Sequence, residues 1–110
     1  MWIFTNKGFI SAVEDRNDFE NVVVRSRARG HLKKIFPLAE VVETEDADYR
    51  YRVFISKEEF RATISDYIQS ELTYDNFKNS IKPEDDEYND FCSATWEEGL
   101  RFQWRNTFRR

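Results

Sequence analysis

The candidate binding residues of this sequence are five arginines that lie in or beside predicted β-strands: Arg25, Arg27, Arg29, Arg50 and Arg52. Arg25 and Arg27 are two residues apart, as are Arg50 and Arg52, and side chains at that spacing share one face of a strand. A guanidinium group binds a phosphate or a carboxylate through two parallel hydrogen bonds. Arg29 stands at the start of a predicted short helix, where backbone N–H groups could also bind an anion. The spacing therefore predicts a sheet face that carries four guanidinium groups.

Two interpretations of this face stay open on the sequence alone. Residues 39–48 and 84–90 are acidic, and acids paired with the arginines would give a polar sheet face that is solvated or binds a protein. A continuous basic surface would instead favour nucleic acid or phosphate. Sheets that bind nucleic acid also stack bases on exposed aromatic rings, and only Trp2, Phe4 and Phe54 could supply such rings on this face. The net charge of −4 weakens the nucleic-acid interpretation further.

No other residues are spaced for catalysis or metal binding. His31 is the only histidine and has no cysteine or spaced carboxylate near it, so we expect an exposed side chain and no metal site. Cys92 falls on the apolar side of a predicted helix, where a thiol packs as a small hydrophobic group. The acids are adjacent in sequence and do not resemble two carboxylates held across a cleft. We therefore expect no enzyme, no metal and no cofactor.

The composition fits one folded domain. The chain has 110 residues, of which 16% are aromatic, and these supply enough large apolar side chains for a core. A single cysteine excludes an intrachain disulfide, and no apolar run approaches the roughly 20 residues of a membrane-spanning helix. We expect a cytoplasmic protein without membrane contact, with one α+β domain at residues 1–103 and an arginine-rich C-terminal tail at 104–110.

The predicted strands come early in the chain, at 2–5, 9–14, 21–28, 39–44 and 49–55. A three-residue loop that ends in Gly8 is expected to join the first two strands as a hairpin. In the fifth strand, alternation directs Arg50 and Arg52 to one face. The same alternation directs four large side chains to the core: Tyr49, Tyr51, Val53 and Ile55.

The predicted helices follow a short one at 30–36. Ser56 is a helix N-cap with Glu59 three residues later, and apolar residues then recur at helical spacing over 57–71. The core-facing residues of that helix are expected to be Phe60, Ile64, Tyr67 and Ile68. Two further helices are predicted, a short one that contains Phe77 and Ile81 and a longer one that starts at Pro83. The buried stripe of the longer helix is predicted to be Tyr88, Phe91, Cys92, Thr95, Trp96 and Leu100.

This order of elements predicts an α+β fold. We expect an antiparallel sheet of about five strands, in the chain order βββαββααα, with the helices packed on one face. The other face of the sheet would then carry the arginines.

Several stretches of the sequence resemble a group of small bacterial and phage-borne proteins of uncharacterised activity. The matching pieces are the opening Met1-Trp2-Ile3-Phe4-Thr5 with Gly8-Phe9 and Ser11, the stretch Val24–Gly30, the stretch Thr44–Arg52, and Tyr74–Asn79. The resemblance covers about two thirds of the chain. It implies no activity and assigns no site residues.

We expect the function to be that of a non-enzymatic protein–protein interaction module, with a protein partner or a homo-oligomer. Trp2, Trp104 and Phe108 lie near the chain ends, where a small domain has difficulty covering large aromatic rings. Aromatic residues and arginine are enriched in interface cores. The alternative is a nucleic-acid or phosphate binder that uses the arginine-lined face.

Overall fold

The structure is a computed structural model that describes residues 1–107. The chain divides into two compact units, Met1–Tyr74 and Asp75–Arg110. The predicted division into a domain at 1–103 and a tail at 104–110 stays a prediction, although the last helix continues through the start of that tail to Thr107. Phe108, Arg109 and Arg110, which the sequence analysis also considered, lie outside the described residues.

The first unit contains a five-stranded antiparallel sheet in the spatial order β1-β2-β3-β5-β4. Its strands are β1 at Trp2–Thr5, β2 at Gly8–Asp15, β3 at Asp18–Ser26, β4 at Val42–Glu43 and β5 at Tyr51–Ser56. Helix α1 spans His31–Ile35 and α2 spans Lys57–Glu71. The α+β class and the order of elements are confirmed.

Helices α1 and α2 cover one face of this sheet, which we call the covered face. Ile10, Val24 and Val53 come from three neighbouring strands and are at most 1% exposed. They form one cluster with Leu32 of α1, and Phe60 of α2 packs against that cluster. Alternation along each strand explains the arrangement, because every second side chain points to the same side.

The β1–β2 hairpin differs from the prediction in its loop. Thr5 pairs directly with Gly8, so the loop has two residues and Gly8 is the first residue of β2. The Thr5 hydroxyl oxygen accepts the backbone N–H groups of Lys7 at 3.1 Å and Gly8 at 3.0 Å. Gly8 has φ +156°, and a Cβ there would lie 2.4 Å from Cγ of His31. Glycine is therefore required both by the turn and by the close approach of α1.

The fourth strand is much shorter than the predicted 39–44. The backbone N–H of Ala39 donates to the carbonyl of Phe36 at 3.1 Å, and the Lys33 ammonium donates to the Ala39 carbonyl at 2.8 Å. These bonds hold the chain in a turn after α1. Only Val42 and Glu43 pair with β5.

Helix α2 begins as predicted but buries less of its apolar side. The N–H of Glu59 donates to the Ser56 hydroxyl at 3.0 Å, which is an N-cap bond. Phe60 and Ile64 are partly buried against the core cluster, whereas Ile68 is 53% exposed. The prediction that Ile68 is buried is wrong, because α2 contacts β3 and β5 while its last turns extend past them.

The second unit contains two 3₁₀ turns, Lys78–Ser80 and Pro83–Asp85, followed by the long helix α3 at Asp86–Thr107. Tyr88 and Cys92 are the buried residues of α3. The rest of the predicted stripe is exposed or only partly buried: Phe91, Thr95, Trp96 and Leu100. The predicted stripe is therefore correct only at Tyr88 and Cys92 and wrong at its other four residues. In the part of the chain that the structure describes, no helix is long and apolar enough to span a membrane.

Candidate functional site

The candidate site is the face of the sheet opposite α1 and α2, which we call the open face. One row of paired side chains crosses all five strands on this face: Trp2, Ser11, Arg25, Arg52 and Val42. The next row along the strands is Val13, Val23 and Phe54. Paired residues in an antiparallel sheet project to the same side, so the register alone fixes the membership of both rows.

Large apolar side chains are exposed at the ends of these two rows, whereas Ser11 and Val23 within the rows are buried. Trp2 is 68% exposed, Phe54 52% and Val13 40%. Phe19 of β3 is 72% exposed, at a point where the register of β3 with β2 is irregular. Because neighbouring strands are about 4.8 Å apart, the three spacings from Trp2 on β1 to Phe54 on β5 span about 14 Å.

The ring of Tyr49 lies between two arginines of the open face. The guanidinium carbons of Arg25 and Arg27 are 4.4 Å and 4.0 Å from the Tyr49 ring centroid, within the range of a cation–π interaction. Tyr49 is buried, as predicted, at 4% exposed, but the prediction that its ring shares the core-facing side of Tyr51 is wrong, because the ring faces Arg25. Strand β5 begins at Tyr51, so alternation does not extend back to Tyr49.

Three guanidinium groups lie in this region with one carboxylate, that of Asp48, which pairs with Arg52. Nη1 of Arg27 donates to the backbone carbonyl of Asp48 at 2.7 Å, and Nη2 of Arg52 is 3.4 Å from the Asp48 carboxylate. Nη2 of Arg25 donates to the Ser11 hydroxyl at 2.7 Å, while its buried Nε has no hydrogen-bond acceptor among the described residues. We call these residues the Tyr49 cluster: Arg25, Arg27, Asp48, Tyr49 and Arg52. Its side chains carry three positive charges and one negative charge.

Arg29 and Arg50 are separated from that cluster and share a different carboxylate, Glu43. Nε of Arg50 is 2.9 Å from Oε2 of Glu43, and Nη2 of Arg29 is 3.5 Å from Oε1. Arg50 also lies 3.6 Å from Glu45. The hydrogen bond from Arg50, reinforced by the charge of Arg29, holds the pKa of Glu43 below its usual value. We call these four residues the Glu43 cluster, and its two arginines are balanced by two acids.

The position of the Glu43 cluster explains why the predicted four-arginine face does not form. Glu43 pairs with Tyr51, whose side chain belongs to the covered-face core. The guanidinium of Arg29 lies 5.5 Å from the Tyr51 ring centroid. Arg50 precedes β5 and pairs with Glu43 and Glu45, so it does not join Arg52. The structure thus brings Arg25, Arg27 and Arg52 together and leaves Arg29 and Arg50 apart; a binding role for any of them stays a prediction.

A surface hollow of about 240 Å³ lies beside the Glu43 cluster. Its lining includes Leu32, Val41 and Tyr51 together with Arg29 and Lys33. The Lys33 ammonium is bonded to a backbone carbonyl, and Arg29 is paired with Glu43. The hollow therefore offers a ligand little unbalanced charge.

Neither His31 nor Cys92 lies in a catalytic arrangement. The expectation of an exposed His31 is wrong: its side chain is partly buried, and its Nδ1 accepts the N–H of Phe9 at 3.2 Å. Cys92 is buried as expected, and burial raises the pKa of its thiol, which disfavours the nucleophilic thiolate. Across residues 1–107, no three or more His, Cys, Asp or Glu side chains are grouped to hold a metal ion.

Sequence reasoning missed the apolar part of the open face. Val13 and Val23 were not recognised as members, although each alternates with a core residue of its strand. That alternation was a usable signal. Tyr49 could not have been found in this way, because it lies outside β5.

No family model, curated protein or solved structure matches this chain. The resemblance to small bacterial and phage-borne proteins stays a prediction, and function has to be inferred from the geometry of the described residues.

Proposed function

We propose that this protein is a non-enzymatic protein–protein interaction module that binds its partner through the open face. The observation that carries the proposal is the exposed apolar surface formed by Trp2, Val13 and Phe54 on a sheet face that α1 and α2 do not cover. A contiguous apolar patch of this kind marks a binding surface more often than a solvated one.

The residue types support a protein partner. Trp2 and Phe54 are aromatic, and Arg25 and Arg52 lie between them in the two rows. Aromatic residues and arginine carry much of the binding energy in protein interfaces, usually near the centre of the contact. The partner is either another protein or a second copy of this chain. A cytoplasmic location belongs to the same proposal, since a chain with one cysteine gains no intrachain disulfide from an oxidising compartment.

A nucleic-acid or phosphate ligand is the second candidate, and one observation favours it. The Tyr49 cluster has three guanidinium groups and one carboxylate, so it carries excess positive charge. Arg29 and Arg50 do not add to that charge, because Glu43 and Glu45 balance them. The exposed Val13 also occupies a position where a nucleic-acid surface would carry a basic or stacking side chain.

Site-specific photo-crosslinking tests the proposal. A benzophenone amino acid replaces Phe54 on the open face, and a matched control replaces Gln69, which is exposed on α2. In cells that make the chain, we expect a discrete protein adduct or a crosslinked dimer from position 54 and none from position 69.

Oligonucleotide binding measured by fluorescence anisotropy tests the second candidate. An interaction module should show no binding to single-stranded or duplex DNA or RNA that weakens steeply with salt. The proposal would be contradicted by the absence of any adduct at position 54 together with oligonucleotide binding that an Arg25→Ala, Arg52→Ala variant loses.

A further inference from the structure

We infer that the partner of the open face presents a carboxylate beside apolar side chains, and that this carboxylate pairs with Arg25 and Arg52. The inference rests on the proposed function and names the chemistry of the partner. The carboxylate belongs to an acidic side chain or to a chain terminus.

The charge balance of the two arginine clusters is the first observation behind this inference. In the Glu43 cluster, Arg29 and Arg50 face Glu43 and Glu45, so cations and anions are equal in number. The three arginines of the Tyr49 cluster have one carboxylate partner among the described residues, Asp48, which pairs with Arg52. Arg25 has no ion pair in this part of the chain. The same sheet therefore carries one balanced cluster and one with excess positive charge.

Arg25 and Arg52 are directly opposite each other on β3 and β5, which is the second observation. Like charges at directly opposed positions of an antiparallel pair are destabilising. Asp48 compensates Arg52, and the Tyr49 ring faces Arg25. A carboxylate that reaches both guanidinium groups would remove the remaining repulsion. The free energy of binding is therefore more favourable there than at an isolated surface arginine.

Partial burial strengthens this effect. Arg25 is partly buried, and its Nε has lost contact with water without gaining an acceptor among residues 1–107. Part of the desolvation that an ion pair requires has thus occurred in the free protein. Charge interactions are also stronger where water is excluded, and a partner that covers the exposed Phe54 ring would exclude more of it.

The neighbours of the two arginines favour a carboxylate on a protein over a nucleic-acid phosphate. Trp2 and Phe54 lie in the same two rows as Arg25 and Arg52, and both rings are more than half exposed, so apolar side chains of a partner would cover them favourably. A nucleic-acid phosphodiester carries the same single negative charge as a carboxylate, so the apolar neighbours of the two arginines, and not the charge, distinguish the two ligands. A protein segment with one acid among apolar residues supplies both the charge and the apolar side chains.

The experiment combines the crosslinker at position 54 with charge variants. Arg25→Gln is the test variant, Arg50→Gln is the matched control from the balanced Glu43 cluster, and Arg25→Lys retains the charge. Mass spectrometry identifies the crosslinked segment, and thermal unfolding verifies that each variant is folded. We expect Arg25→Gln to lower the adduct yield about tenfold, Arg50→Gln to change it less than about twofold, and Arg25→Lys to retain part of it.

The identity of the crosslinked segment provides the second readout. We expect an Asp, a Glu or the chain terminus within a few residues of the crosslink. Neutralising that carboxylate in the partner should lower the yield by the same factor as Arg25→Gln, with no further loss when both changes are combined.

The outcomes separate this inference from the proposed function. A protein adduct that is unchanged by Arg25→Gln, or a segment without a carboxylate, overturns the inference and leaves the interaction module in place. The absence of any protein adduct at position 54, or an adduct with nucleic acid, overturns both.

Discussion

Strand β3 shows how differently the two faces of one sheet are used. Val24 points to the covered face and is fully buried, while the adjacent Arg25 points to the open face and is only partly buried. On β5 the same contrast separates Val53, which is 1% exposed, from Phe54, which is 52% exposed. Both faces carry large apolar side chains, and only one is closed by helices α1 and α2.

This difference shows that the burial of a side chain in this sheet depends more on which elements pack against its face than on its residue type. The covered face consists almost entirely of aliphatic and aromatic side chains that interlock with α1. The open face mixes aromatic rings, valines and arginines, which is the composition of an interface core. A sheet face that contacts only water usually carries polar residues at the positions that Trp2, Val13 and Phe54 occupy here.

The largest effect is expected from Gly8→Ala, which tests how closely α1 approaches the covered face. The new Cβ would lie 2.4 Å from Cγ of His31, at a φ of +156° that disfavours alanine. Backbone strain and overpacking each cost about 1–3 kcal/mol, so we expect a loss of about 3 kcal/mol or more in urea unfolding. Gly30→Ala is the control, because Gly30 also has positive φ but nothing within 4 Å of its Cβ position. Equal losses for both variants would show that His31 does not constrain the hairpin.

A matched valine pair compares the two faces directly. Val24→Ala removes two methyl groups from the fully buried interior, and Val13→Ala removes the same groups from a side chain that is 40% exposed. We expect the first to lower the free energy of unfolding by about 2–3 kcal/mol, from the transfer and cavity terms, and the second to change it by about 0.5 kcal/mol. Similar losses in urea unfolding would mean that the open face is packed in the free protein.

A smaller effect is expected on α2, where an isoleucine pair measures how much of the helix belongs to the core. A fully buried Ile64 would cost about 2–5 kcal/mol on truncation to alanine. Because Ile64 is only partly buried, we expect about 1–2 kcal/mol by thermal or urea unfolding, after scaling that range for burial. Ile68→Ala, at a position that is 53% exposed, should remain within about 0.5 kcal/mol. A loss at Ile68 as large as that at Ile64 would contradict the placement of α2.

The smallest effect is expected for the pKa of Glu43, which tests the ion pairs of the balanced Glu43 cluster. The pKa of Glu43 is lowered from 4.5 in the folded protein, chiefly by the hydrogen bond from Arg50. A lowered folded pKa contributes stability that is present above the unfolded pKa and is lost as the pH falls through the folded pKa. A carboxyl NMR titration should therefore give a midpoint below 4.5 for Glu43, and Arg50→Gln should move it upward. A midpoint that Arg50→Gln leaves unchanged would show that the ion pair does not form in solution.

Sequence reasoning predicted the fold well where elements carry their own local signals. The α+β class, the order of elements and the Ser56 N-cap depend on periodicity and on side-chain bonds to nearby backbone. The predicted strand at 39–44 failed because hydrogen bonds after α1 hold Ala39 in a turn. The predicted buried stripe of α3 failed because helical spacing identifies an apolar side and does not show what packs against it.

The candidate site was predicted only in part. Alternation placed Arg25 and Arg52 on one face, and the register of β3 with β5 sets them opposite each other. It misplaced Tyr49 and Arg50, since both precede the first residue of β5. Strand boundaries depend on pairing with a neighbour, and the pairing partner is distant in sequence.

The sequence by itself determined which residues alternate, where α2 begins, and that no arginine of β3 faces the core. These properties follow from bonds and spacings within a few residues. Only the tertiary structure decided which acid meets which arginine: Asp48 joins Arg52, and Glu43 joins Arg29 and Arg50. Ion pairs across strands form where the backbone brings side chains within about 4 Å, and that distance is set by register and turns. The positive charge of Arg25 has no carboxylate partner among the described residues, and it specifies the carboxylate proposed for the binding partner. That charge imbalance is therefore a property of the folded sheet.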